Sequence, residues 1–272
     1  SAVEQNVPWS PVVDPAVVLL AQQPAFLPGA AGVSFGDMVA PHDSSEGRYL
    51  VHGPAHHAAQ VLLLAGARPD APLAAAVTAG LPTVAIRCPA HPAMRALLVE
   101  TGLPLAAPSA NRSGGVSPTR AAHVAASLGA NVDLILDGGD CAAGIESTIV
   151  ALREGGGWQV LRPGPVTGQD IAVVLGAPQA AAAVGDGIEA PGQLASHYAP
   201  GKPVRLNAIA AEADEFHIGF GAVAGDRSLS ATGDLAEAAA RLYAALHDAA
   251  EAALPRIAVA PIPDQGIGTA IN

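Results

Sequence analysis

Short apolar runs separated by polar stretches recur through the middle third of the chain, and their length predicts β-strands. Between the first two runs, Met94, Leu97 and Leu98 recur at helical spacing, which predicts a helix over residues 91–100. Strands that alternate with helices indicate an α/β sheet, and the glycine-rich turn REGGG between the last two runs makes it a mixed sheet. The predicted strands are TVAIR (83–87), PLAAP (104–108), VDLILD (132–137), STIVAL (147–152) and WQVLR (158–162).

Two further helices carry start signals. Ser117 followed by Pro118 predicts a helix start, because the hydroxyl can accept an orphan N–H and proline tolerates the first helical position. We expect this helix to end near Leu128, with Gly129 as its C-cap. A Thr–Asp pair at positions 167 and 170 resembles a capping box ahead of the apolar run IAVVLG.

The pattern divides the chain into two units. Residues 177–203 have no periodicity, are rich in Ala, Gly and Pro, and are interpreted as a linker. After it, VRLNA, HIGFGAV, a long helix from about Leu235 to Ala252 and RIAVAPI predict a second, smaller α/β unit. We therefore expect one domain over residues 1–200, linker included, and another over 201–272. In the first 65 residues, VVDPAVVLLAQQPAF is interpreted as a helix and RYLVH as a strand.

The net charge of the chain limits the kinds of ligand that we expect it to bind. The formal net charge is −11, and Lys202 is the only lysine. Because neutralising phosphates requires clustered cations, direct binding to tRNA is not expected, whereas a local pocket can still hold a small anion. Cys88 and Cys141 form no CxxC pair and are interpreted as reduced, buried thiols. No charged leader and no apolar run near 18 residues is seen, so we expect a soluble, cytoplasmic protein without a membrane segment.

The polar loop SANRSGG (109–115) follows the predicted strand PLAAP. It offers two hydroxyls, an amide, a guanidinium and two glycines that let the main chain approach a ligand closely. Ligands of α/β sheets gather beyond the carboxyl ends of strands, and a helix start at Ser117 would favour phosphate. A solvated connection between strand and helix explains the composition equally well.

Several motifs in a fixed order are similar to the YrdC/Sua5 family. They are GLPTVAIRCPAHP, PLAAPSANRSGGVSPTRAAHV, DLILDGG, GIESTIV, VLRPG and APGQLASHYAP, followed by DLAEAAARLYAAL and GIGTAIN, which resemble the small Sua5 domain. The resemblance covers roughly residues 69–272. It implies a twisted mixed sheet of the YrdC type with a smaller α/β domain.

The resemblance also implies a reaction. The family joins L-threonine, bicarbonate and ATP into threonylcarbamoyl-AMP, the activated intermediate for threonylcarbamoyl modification of tRNA adenosine 37, and releases pyrophosphate. A nucleotidyltransferase of this kind acts in the cytoplasm with tRNA-modification proteins as partners. Mg²⁺ would arrive with ATP as part of the substrate, held through phosphate, and no tightly bound cofactor is expected.

The same resemblance assigns the site. Arg87 would meet the threonine carboxylate, which guanidinium geometry suits, and Ser147 would give threonine a hydroxyl. No general base is assigned, because positioning and cationic stabilisation account for the chemistry. The remaining residues would contact the nucleotide or, in the last two cases, fold over the occupied site as a lid: Thr83, Ala107, Ser109, Asn111, Ser117, Arg162, His197 and Tyr198.

The opening third departs from the family pattern. The family begins with a PTETVYGLG-like strand and turn and then a KGRP-like segment, whose lysine and arginine face ATP and threonine. Neither is present; SEGRYLVH (45–52) has Glu46 at the lysine position and retains only Arg48. This is consistent with a divergent member of altered activity, or with a first third that differs from the native chain. The alternative function is a non-catalytic nucleotide- or RNA-binding relative.

A histidine cluster in the same region was weighed as a metal site. His52 and His56 have the i, i+4 spacing that can share a metal on one helix face, with His57 and His42 nearby. Gly53 and Pro54 interrupt any helix there, and no acidic or cysteine ligand completes the set. No metal site is therefore predicted.

Overall fold

The computed structural model describes residues 18–20, 50–52, 61–66, 83–87, 89–101, 105–112, 114–153, 157–175 and 198–272. The first unit is built on a six-stranded mixed sheet, as the pattern predicts. Its strand order is β5-β1-β4-β3-β7-β8. The strands are β1 (Val18–Leu20), β3 (Val61–Gly66), β4 (Thr83–Arg87), β5 (Leu105–Ala106), β7 (Thr148–Leu152) and β8 (Trp158–Arg162).

Parallel and antiparallel pairs alternate across this sheet. β1 runs parallel to β4 and β3 parallel to β7, whereas β3–β4, β7–β8 and β1–β5 are antiparallel. The predicted hairpin of the last two strands is confirmed, with a register shift between Ile149 and Val150. β7 is buried from Thr148 to Ala151, as its apolar run requires. The predicted strand PLAAP is reduced to the two-residue edge strand β5.

Among the described residues, three helices accompany this sheet. The predicted helix over 91–100 is α1 (Pro92–Thr101), and its Met94 and Leu98 pack on Ala85 and Ile149. The capping box is also confirmed. Thr167 N–H donates to Asp170 Oδ2 at 2.9 Å and Asp170 N–H returns a bond to Thr167 Oγ1 at 3.2 Å, ahead of α3 (Gly168–Leu175).

The predicted helix start at Ser117 is wrong. Helix α2 spans Ala121–Leu128, and the residue before it, Arg120, makes no side-chain cap. The imidazole of His123 replaces the serine cap, because its Nδ1 accepts the N–H of Thr119 at 3.2 Å. The C-terminal prediction is confirmed, since Gly129 has φ 51° and its N–H donates to Ala125 O. A 3₁₀ turn (Gly129–Asn131) follows.

Two predictions fall in the opening third. The apolar stretch VVDPAVVLLAQQPAF was expected to be helical, but its described part, Val18–Leu20, is strand β1 between β4 and β5. A short run of β-branched residues and leucines has no periodicity that distinguishes a helix from a buried strand. The strand in RYLVH is confirmed as β2 (Leu50–His52), paired parallel with β6 (Leu134–Leu136) in a separate two-stranded sheet. The remainder of both stretches lies outside the described residues.

The second unit is a parallel sheet covered by one long helix, which confirms the predicted α/β character. The sheet order is β11-β10-β12-β9. Helix α4 (Leu235–Glu251) begins at Asp234, whose side chain accepts the N–H of Glu237. Its buried face packs on Ile218 and Ile257 of the sheet. The other elements are β9 (Val204–Arg205), β10 (Glu215–Gly219), β11 (Arg227–Ser228), β12 (Arg256–Val259) and α5 (Gly268–Ile271).

Candidate active site

A largely buried arginine at the end of β8, with 12 % of its side chain exposed, organises the site. The β7–β8 hairpin sets Arg162 opposite Ile149, close to the start of β7. Its Nε and Nη2 donate to the Ser147 carbonyl oxygen at 3.0 and 2.9 Å, and its Nη1 donates to the Tyr198 hydroxyl at 3.2 Å. Burial opposes the charge of Arg162, but Glu146 and Tyr198 nevertheless raise its pKa above the ordinary value. The guanidinium is therefore held charged and in one orientation.

Glu146 connects this arginine to Ser117, which follows the polar loop SANRSGG (109–115). Its Oε1 accepts a hydrogen bond of 2.5 Å from Ser117 Oγ, and its Oε2 lies 3.4 Å from Arg162 Nη2. The carboxylate is only 13 % exposed. The sequence reasoning missed Glu146, although an acidic residue inside the otherwise uncharged motif GIESTIV was the available signal. Its partners show that the residue is part of the site.

Arg87 supplies a second buried cation. It ends β4, is 6 % exposed, and its Nη2 donates to the Ala107 carbonyl oxygen at 3.1 Å. Burial lowers the pKa of Arg87 to about 10; Glu146 opposes this shift and Arg162 adds to it. Arg162 therefore pairs directly with Glu146, and Arg87 lies close enough to feel the charge of both groups.

The loop after β5 contains a buried amide oxygen, that of Asn111. Asn111 Nδ2 donates to Gly115 O at 3.0 Å and to Arg112 O at 3.1 Å. Its Oδ1 is buried and has no hydrogen-bond partner among the described residues. Ala110 adopts φ 62°, a strained value for a side-chain-bearing residue that is common at binding sites. The loop therefore presents an acceptor, which suits a hydroxyl or amino group of a ligand.

The structure brings together some of the predicted site residues and separates others. Glu146 joins Ser117 to Arg162, and Arg162 in turn bonds to the Ser147 carbonyl and the Tyr198 hydroxyl. Arg87 and Ala107 contact one another. Ser109 is half-buried in its loop.

Thr83, by contrast, begins β4, so the strand rise places it roughly 13 Å from Arg87. His197 lies outside the described residues, whereas Tyr198 has φ 57° and stacks on Tyr243 at 5.4 Å.

A cavity of about 770 Å³ opens beside Arg162 and Glu146, between the two units. Tyr198 and Tyr243 line one part of it, and Asp264 lies in its wall. Among the described residues, no group of three or more His, Cys, Asp or Glu side chains is placed to hold a metal ion. Of the histidine cluster weighed above, only His52 is described. Within the same ranges, no helix has the length and apolarity to cross a membrane.

The described cysteine is a passive thiol. Cys141 is half-buried and unbridged, and burial, Glu146 and Asp140 raise its pKa to about 12. Cys88 lies outside the described residues. The reduced state of the two cysteines stays a prediction.

The fold and this cluster define an α/β protein in which arginine, glutamate and serine side chains meet beside a cavity. Comparisons with known proteins identify its family. The model of the Sua5, YciO and YrdC family, described as telomere recombination, matches residues 53–164. The model described as threonylcarbamoyl-AMP synthase, C-terminal domain, matches residues 166–272. The chain belongs to the Sua5/YrdC family, and the match starts at residue 53 rather than near 69.

Individual relatives agree. The chain is 37% identical over 231 residues to the threonylcarbamoyl-AMP synthase of Bacillus subtilis, covering 77% of this chain and 66% of that protein. It is 42% identical over 134 residues to the Pyrococcus abyssi enzyme of the same name, covering 47% and 38%. The crystal structure of P. abyssi Sua5 complexed with L-threonine superposes with a TM-score of 0.67 at 29% identity, covering 78% of this chain and 68% of that chain. The chain thus spans less than two thirds of the length of these two curated relatives.

Proposed function

We propose that the protein synthesises threonylcarbamoyl-AMP from L-threonine, bicarbonate and ATP, for the threonylcarbamoyl modification of tRNA adenosine 37. The observation that carries the proposal is the buried Arg87 and the largely buried Arg162, both close to Glu146 and to two serines. The names of the relatives support the same activity.

This arrangement suits a reaction between two anions. The carbamate formed on the threonine nitrogen attacks the α-phosphorus of ATP; a P–O bond forms, and the bond to pyrophosphate breaks. Both reactants are negatively charged, so holding them in contact requires fixed cations and donors in a site with little water. Arg87 and Ser147 would bind threonine, while Ser117 and Arg162 would bind the nucleotide. Asn111 Oδ1 could accept a hydrogen bond from a donor group of the nucleotide.

The lysine of the family pattern has no replacement among the described residues of this site. Lys202 Nζ donates to the carbonyl oxygens of Ala249 and Ala252, at 2.8 and 2.5 Å, and so closes the C-terminal end of α4. In the proposed mechanism the two arginines therefore carry the anion binding, with ATP taken up as its Mg²⁺ complex.

The proposal also includes the partners of the product. The chain is acidic, with a net charge of −11, and so gains little from the phosphates of tRNA. We infer that the protein passes threonylcarbamoyl-AMP to tRNA-modification proteins in the cytoplasm rather than binding tRNA tightly itself.

The test is a reconstituted reaction with the purified chain. ATP, L-threonine and bicarbonate should together give pyrophosphate and a product with the mass of threonylcarbamoyl-AMP, and omission of any one substrate should abolish both. ATP and threonine binding without product would instead identify a non-catalytic nucleotide-binding relative. Absence of binding by either substrate would overturn the assignment.

A further inference from the structure

One face of helix α4 contacts two segments of the candidate site. One segment contains Ser117, and the other contains Gly144 and Glu146. Ala240, Tyr243 and His247 are spaced i, i+3, i+7 and so lie on one side of the helix. The carbonyl of Ala240 lies against Gly144, Tyr243 receives a hydrogen bond from the backbone N–H of Glu146, and His247 bonds to the carbonyl of Ser117. The second unit therefore touches the main chain of the site itself.

The approach of α4 depends on a glycine and an apolar contact. A Cβ on Gly144 would overlap the Ala240 carbonyl oxygen and would lie 2.9 Å from the oxygen of Ala239, so only glycine permits this distance. Val116 and Ile145, the neighbours of Ser117 and Glu146, are buried in the same cluster as the apolar residues of α4. This packing holds the helix against the loops and keeps water from the contact.

Two histidines, one from each unit, form hydrogen bonds with the segment Ser117–Thr119. His247 Nε2 donates to Ser117 O at 3.1 Å, and His123 Nδ1 accepts the N–H of Thr119 at 3.2 Å. Their rings stack at 3.8 Å with an interplanar angle of 23°. The His123 contact requires a neutral imidazole with Nδ1 unprotonated, because an N–H needs an acceptor. The His247 contact requires a proton on Nε2, because a carbonyl needs a donor.

We propose that His247 is a positioning residue of the second unit that fixes Ser117 for nucleotide binding. This inference rests on the proposed function for its ligands. Ser117 is held at two atoms: its carbonyl by His247 and its hydroxyl by Glu146. Arg87 and Ser147, assigned to threonine, lie at the end of β4 and just before β7, whereas the hydrogen bond of His247 goes to Ser117.

The experiment compares three variants of the full chain. His247→Ala removes the bond to Ser117, whereas His247→Gln keeps an N–H that can reach the same carbonyl. His217→Ala is the matched control, because His217 Nε2 makes an equivalent bond of 3.1 Å to Ala208 O inside the second unit, away from the site. Affinities for Mg·ATP and for L-threonine are measured by calorimetry at pH 7.5. Hydrogen exchange of the amides in residues 114–120 is followed without ligand.

The expected pattern is selective. His247→Ala should weaken ATP about three- to tenfold, the usual value of one hydrogen bond, and leave threonine within about twofold. It should also accelerate exchange in residues 114–120; His247→Gln should restore both, and His217→Ala should change neither. Equal losses for both ligands, or equal effects of His247→Ala and His217→Ala, would overturn the proposal. If the wild-type chain binds no ATP, the proposed function fails, whereas unchanged exchange in His247→Ala refutes the positioning role by itself.

Discussion

Ser117 and Glu146 share a hydrogen bond of 2.5 Å, although they are separated by 29 residues. The other carboxylate oxygen of Glu146 faces Arg162. The two side chains proposed to bind nucleotide oxygens are thus held by a carboxylate, which has the charge and acceptor geometry of a phosphate edge. Glu146 holds these side chains in place and also contributes a negative charge at the place where an anion would bind.

Glu146→Gln should therefore have effects of opposite sign on stability and on ligand affinity. Removal of the charge leaves Arg87 and Arg162 buried together without compensation, which should cost about 1–3 kcal/mol of unfolding free energy. The same change raises the positive charge of the pocket, so pyrophosphate and ATP should bind several-fold more tightly. Urea denaturation and calorimetry measure the two quantities.

The control for this prediction is Glu237→Gln. Glu237 pairs with Arg241 at 2.8 Å on the surface of α4, so its loss should change stability by less than about 0.5 kcal/mol and leave affinity unchanged. Weaker pyrophosphate binding by Glu146→Gln would mean that the carboxylate acts only as a support for its neighbours.

The division of the pocket predicts a crossed pattern of affinities. Arg87→Ala and Ser147→Ala should weaken L-threonine by roughly ten- to hundredfold and ATP much less, because a buried hydrogen bond to a charged group contributes about 1.5–3 kcal/mol. Ser117→Ala should do the reverse. Equal effects of the three substitutions on both ligands would show that the assignment of the two halves is wrong.

Lys202 should be a structural residue. Lys202→Met keeps the aliphatic stem and removes the two bonds to the last carbonyls of α4, so it should lower the unfolding free energy by about 1–3 kcal/mol. ATP and threonine affinities should stay within about twofold of the wild type. A large loss of product formation with unchanged stability would contradict this, since it would require the ammonium to act on the substrates.

Local signals predicted the elements that depend on nearby residues. The capping box of α3, the glycine cap of α2, the helix α4 and the β7–β8 hairpin follow from contacts a few residues apart. The start of α2 was mispredicted because the hydroxyl of Ser117, a good local cap, bonds instead to Glu146. Strand β1 was also mispredicted, since its pairing with β4 involves residues more than 60 positions away.

The candidate site divides in the same way. Arg87, Ser147 and Arg162 could be found from the ends of predicted strands and from family motifs. Glu146 and His247 could not, because their roles exist only once distant segments meet: His247 and Ser117 are 130 residues apart. The sequence therefore predicts the candidate residues at the ends of strands. It does not predict the residues that connect segments distant in the chain.

The stacked histidines predict a loss of stability at mildly acidic pH. The pKa of His123 is lowered from 6.5 to about 4, mainly by burial. The charges of His247 and Arg120 also lower it, whereas Asp248 raises it. Burial likewise lowers the pKa of His247; Arg120 adds to that effect, and the Ser117 carbonyl, Glu251 and Asp248 oppose it. A folded-state pKa below the unfolded value means that the unfolded chain takes up the proton first. Stability should therefore fall as pH drops from about 6.5 towards 4.

The loss due to His123 should reach about 2–3 kcal/mol at pH 4.5, since one pKa unit corresponds to about 1.4 kcal/mol. Urea denaturation at pH 7.5, 5.5 and 4.5 measures it. In His123→Asn, the side-chain oxygen can still accept the N–H of Thr119 but does not titrate, so the stability of this variant should depend much less on pH over the same window. A pH dependence equal to that of the wild type would show that the acid sensitivity arises elsewhere in the protein.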